Sequence, residues 1–60
     1  MSVEELELVA ASAREHAAHV HADIRQAGTR IEHIRLTILA VEADKVASSL
    51  EAFLRIAKSN

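Results

Sequence analysis

The stretch Ala27-Gly28-Thr29-Arg30-Ile31-Glu32 decides how this chain folds. Gly28 is the only glycine among 60 residues, and there is no proline. A glycine just past a helix end can turn left-handed without a Cβ clash. Thr29-x-x-Glu32 fits the capping box, in which the hydroxyl takes one free backbone N–H and the carboxylate reaches back to another. Ser2-x-x-Glu5 places the same signature at the start of the chain. The sequence therefore predicts an all-α antiparallel helical hairpin, one domain over residues 1–60. Its first helix runs over about 3–27, its turn is 28–29 and its second helix runs over about 30–58.

Charge placement agrees with those ends. Glu4, Glu5 and Glu7 sit in the first turns of helix one, where the dipole is positive. Arg25 lies near its far end, and Arg55 and Lys58 near the end of helix two. Glu51 and Arg55 form an i,i+4 pair of favourable orientation.

Apolar periodicity fixes the packing expectation. Helix one carries Val3, Leu6, Ala10, Ala13, Ala17, Val20, Ile24 and Ala27, in alternating steps of three and four. This is the heptad seam of helices packed nearly side by side. Helix two has a matching stripe, Leu36, Leu39, Ala43, Val46, Leu50, Phe53 and Ala57. In a hairpin folded about Gly28 and Thr29, residues whose numbers add to about 57 lie level. Ala13 then meets Ala43, Ala10 meets Ala47, Val20 meets Leu36 and Leu6 meets Leu50.

A second stripe on helix two, Ile31, Ile34, Ile38 and Val41, lies roughly 200° around from the first. One hairpin cannot bury both. An exposed isoleucine row marks an interface, so these four residues are the expected partner contacts. The simplest partner is a second copy, giving a dimeric four-helix bundle; another helical protein is the alternative. A competing fold is a single long helix running through Gly28, because Ala27, Ile31, Ile34, Ile38 and Val41 continue the first seam. Against it stand the second capping box and the switch of stripe after Val41, where Lys45 and Ser48 fall on the old seam.

Composition points the same way. Half of the residues are apolar, but twelve of those are alanine and the only aromatic is Phe53. Such a core buries little area against an ordering cost of roughly 1.5 kcal/mol per residue. Chains this short are usually supported by a disulfide, a metal or a partner subunit. There is no cysteine, which leaves self-association as the expected support. The net charge of −2 argues against general affinity for nucleic acid or anionic membranes. The acidic start and the absence of a long apolar run predict a soluble, cytoplasmic chain with no membrane segment.

Chemistry-bearing residues are few. His16, His19, His21 and His33 all lie in the half of the hairpin near the turn. His16 and His19 with Glu15 or Asp23 could form one side of a zinc site, as a metal-binding bundle would need. The H-E-x-x-H signature and the Glu-x-x-His pair of di-iron bundles are both absent. The expectation is therefore no metal, no cofactor and no catalytic residue. Ser12 precedes His16 by one turn, but a helix side chain offers no oxyanion hole. Arg25, Arg30 and Arg35 gather toward the turn and define a small RNA-binding dimeric hairpin as a further alternative, without Trp or Tyr to stack on bases. In length and heptad pattern the chain resembles small dimeric hairpins of the plasmid copy-control type, with no residue motif in common. A designed bundle with no natural function would show the same agreement of caps, turn and stripes. The scattered His, Ser and Thr speak against design. The function expected from sequence is non-enzymatic oligomerisation or protein interaction.

Overall fold

The computed structural model describes residues 1–59 and consists of two α-helices, α1 (Val3–Ile24) and α2 (Arg30–Lys58), packed antiparallel as a hairpin. The molecule is long and thin, measuring 47 × 14 × 14 Å. The chain folds back on itself and does not run through Gly28 as one continuous helix. No helix among the described residues is long and apolar enough to cross a membrane.

Both helix starts follow from their caps. Ser2 Oγ accepts the Glu5 N–H at 3.1 Å, and Glu5 Oε1 accepts the Ser2 N–H at 3.2 Å, completing the capping box of α1. At α2 only half of the box forms. Thr29 Oγ1 accepts the Glu32 N–H at 3.2 Å, while the Glu32 carboxylate turns to Arg35 at 3.6 Å.

The turn differs from expectation in two respects. First, α1 ends at Ile24, three residues before Ala27. The N–H groups of Arg25, Gln26 and Ala27 donate to the carbonyls of Ala22, Asp23 and Ile24, each three residues back. This 3₁₀-type tightening uses up the free carbonyls of the last turn and ends the α-helix early. Second, Gly28 does not adopt a positive φ, so it is not a left-handed cap. A Cβ placed on it would meet nothing within 4 Å. The connection spans residues 25–29 instead of the predicted two.

The fully buried part of the contact between the helices is made of small side chains. The buried residues are Ala10, Ala17 and Val20 of α1 and Ala40, Ala43 and Ala47 of α2. On α2 the inward seam reads Leu36, Ala40, Ala43, Ala47, Leu50, Leu54 and Ala57, all buried or half-buried. It shares Leu36, Ala43, Leu50 and Ala57 with the predicted stripe. At the alternate positions Ala40, Ala47 and Leu54 replace Leu39, Val46 and Phe53, which are exposed. Either set satisfies the three–four alternation. The choice follows from α1, whose alanines let the backbones approach and leave no volume for a large side chain between them.

Two stability measurements test this packing. Gly28→Ala has room and a compatible backbone, so it should stabilise the chain by about 0.4–1 kcal/mol through the unfolded state. Ala47→Leu, at a position with 0% exposure, should cost about 1–3 kcal/mol by overpacking. The exposed Ala22→Leu serves as its control and should change little.

Candidate interaction surface

The alanine seam divides the hairpin into two unlike flanks. One flank is closed by a ladder of ion pairs. Lys58 Nζ reaches Glu7 Oε1 at 3.2 Å. Arg14 Nε and Nη2 donate to the two carboxylate oxygens of Glu51 at 2.9 and 2.8 Å. Arg14 also lies 3.7 Å from Asp44 and donates weakly to Ser48 Oγ at 3.4 Å. His21 Nε2 sits 2.8 Å from Asp44 Oδ2. The participants recur every seven residues: Glu7, Arg14 and His21 on α1, and Asp44, Glu51 and Lys58 on α2.

The sequence carries this ladder as charges at heptad spacing in complementary order, a signal that the local i,i+4 pairing of Glu51 with Arg55 obscures. The Glu51 carboxylate instead crosses to Arg14. The bidentate geometry fits the guanidinium fork. The hydrogen bonds from Arg14 hold the Glu51 carboxyl below its ordinary value of 4.5, partly opposed by desolvation and helped by the nearby charges of Arg14 and Arg55. The same hydrogen bonding raises Arg14.

The opposite flank is apolar and open. A groove of about 590 Å³ runs along it, lined by Ala13, His16 and Val20 of α1 and by Leu39, Ala43 and Val46 of α2, with Ser12 and Glu42 at its edges. Leu39, Val46 and Phe53 form the α2 wall of this flank and are 46%, 54% and 59% exposed. They lie roughly 70° around α2 from the seam, at about 100° per residue.

Beyond them on α2 come Ile31, Ile34, Ile38 and Val41, whose exposures lie between 49% and 78%. Ile31 and Ile38 are the nearer of these to the groove wall, and Ile34 and Val41 lie further around. The exposed Arg35, Glu42 and Ser49 lie between the groove wall and the isoleucine row, so α2 carries two apolar rows with a polar row between them.

The histidines do not converge. His16 lines the groove, while His21 is engaged by Asp44 on the opposite flank. His19 and His33 are exposed. Among the described residues no three His, Cys, Asp or Glu side chains come together as a metal site would require. Arg25, Arg30 and Arg35 are exposed near the turn, with Arg35 paired to Glu32.

Comparison with protein-family models, with curated proteins and with solved structures finds no match.

The Glu51 carboxyl carries a pH dependence with a definite sign. Its pKa in the folded chain is depressed, so its contribution is present above the ordinary value of 4.5 and is lost as pH falls through the lower folded value. The stability difference between the wild type and Glu51→Gln should therefore be constant near neutrality and shrink below about pH 4.5. Urea titrations at several pH values measure it.

Proposed function

We propose that this chain is a non-enzymatic self-association module in which two hairpins form a four-helix bundle. One observation carries the reading: the size order of the apolar residues is inverted. Alanines and Val20 fill the buried middle of the inter-helix contact, while Leu39, Val46, Phe53 and the row Ile31, Ile34, Ile38 and Val41 are exposed. A large apolar side chain gains roughly 1.5–3 kcal/mol on full burial, far more than alanine. A hairpin whose fully buried contact is mostly alanine leaves much of that stabilisation to be realised against another surface.

The exposed large residues of α2 fall in two aligned rows away from the ion-pair ladder and are not scattered singly, as an interface requires. The ion-pair ladder blocks the other flank, so association through the apolar side leaves it undisturbed. Ile31, Ile34, Ile38 and Val41 form the outer part of the contact surface, available to a second copy or to another helical protein.

Light scattering on the purified chain tests this. The expected mass at micromolar concentration is twice the 6.5 kDa of one chain. Ile38→Asp should raise the dissociation constant by about tenfold or more. A fully helical 6.5 kDa monomer would contradict self-association, and a wild-type dissociation constant for Ile38→Asp would remove the isoleucine row from the contact surface.

A further inference from the structure

We propose that the second copy docks on the isoleucine row, α2 against α2, antiparallel and staggered. Ile34 then lies on Ile38 of the second copy, Ile31 lies on its Val41, and Arg35 pairs with its Glu42. This rests on the self-association reading and specifies its geometry: the four helices overlap through the first halves of the two α2 helices, with α1 of each chain outside.

The row itself selects the stagger. It lies roughly 180° around α2 from the seam that faces α1. In steps of three and four it is apolar at Ile31, Ile34, Ile38 and Val41 and then continues as Lys45, Ser48, Ala52 and Arg55. A parallel pairing with the ends level sets Lys45 on Lys45 and Arg55 on Arg55. An antiparallel pairing with the ends level sets Ile31 on Arg55, Ile38 on Ser48 and Val41 on Lys45. Only the staggered antiparallel register stacks all four apolar residues on apolar residues, each contact occurring twice by symmetry. Lys45 and Ser48 then fall beyond the start of the second α2, which begins at Arg30. One heptad toward level ends, Ile34 falls on Lys45 and Ile31 on Ser48. One heptad the other way, Ile38 and Val41 lose their partners on α2.

Charge agrees with that register. Each residue of the ion-pair ladder directly follows a seam residue: Arg14 follows Ala13, and Glu51 follows Leu50. Helix side chains lean toward their own N-terminus, so across antiparallel helices two such residues lean together, as Arg14 and Glu51 do at 2.8 Å. Arg35 and Glu42 hold the same position on the outer row, directly after Ile34 and Val41. In the staggered dimer Arg35 leans toward Glu42 of the second copy, and Glu42 toward its Arg35. The two Arg35 side chains, nearest the symmetry axis, lean apart. Within one chain Arg35 and Glu42 have only the neighbours Glu32 at 3.6 Å and Lys45 at 3.9 Å. A parallel pairing sets Arg30 beside Arg35 of the second copy on both edges, like charge on like.

Charge reversal tests the arrangement. Arg35→Glu and Glu42→Arg should each raise the dimer dissociation constant by about tenfold. An equimolar mixture of the two variants should associate at least as tightly as the wild type, because every reversed charge then meets its opposite on the other chain. A tighter dimer for Arg35→Glu alone would indicate the parallel pairing and overturn the proposal. So would single variants of wild-type affinity, or no recovery in the mixture. Small-angle scattering checks the stagger: the far ends of the two α2 helices lie about 70 Å apart at 1.5 Å per residue. A dimer no longer than the 47 Å hairpin would overturn it while leaving self-association intact. A wild-type chain with the mass of a monomer would instead remove the self-association reading on which this inference rests.

Discussion

The close contact of alanine with alanine is the constraint from which the rest of this structure follows. Ala10 and Ala17 of α1 and Ala40, Ala43 and Ala47 of α2 are buried, joined only by Val20. Small side chains allow the two backbones to approach at the middle of the seam, with the half-buried Leu36, Leu50 and Leu54 toward its ends. Leu39, Val46 and Phe53 are displaced to the edge of the contact as a result. Each methyl group in the seam contributes little burial energy, so the contact positions the helices more than it stabilises them. The proposal that this hairpin is half of a larger assembly is a consequence of that imbalance.

What fixes the register is a separate device. Alanine packs equally well at several heptad offsets, so a bare alanine seam would tolerate slippage. The ladder of Glu7 with Lys58, Arg14 with Glu51 and His21 with Asp44 does not. Sliding by one heptad in one direction brings Glu7 opposite Glu51; sliding in the other brings Arg14 opposite Lys58. Each wrong register sets one like-charge pair together and breaks the bidentate Arg14–Glu51 pair, which is discrimination in part by repulsion. Exposed ion pairs add little to stability, but they need only separate alternatives of similar energy. Because the ladder occupies one flank, the large apolar residues define the other as the surface available for association.

Much of the fold is legible in the sequence, and the departures have physical causes. The capping residues Ser2 and Thr29 locate both helix starts. The early end of α1 is hidden because a 3₁₀ turn leaves no composition signal and Ala27 suits either geometry. Gly28 invites a left-handed cap that the tightened turn makes unnecessary. On α2, the periods of Leu39-Val46-Phe53 and Ala40-Ala47-Leu54 are identical, so spacing alone does not tell the inner row from its neighbour. Size preference favours the larger residues, and the alanines of α1 decide otherwise. The outer row of isoleucines is visible as a second stripe, whereas the groove beside it needs coordinates, because it exists only once the seam is known to be narrow.

The sharpest test of an alanine seam too weak to stand alone is thermal unfolding followed by circular dichroism over a wide range of protein concentration. Association linked to folding makes the midpoint depend on concentration by mass action. The midpoint should rise steadily with concentration, with helicity lost at the dilute end. A midpoint independent of concentration in a fully helical chain would mean that the alanine seam holds the hairpin alone, and would contradict the dependence on a second copy.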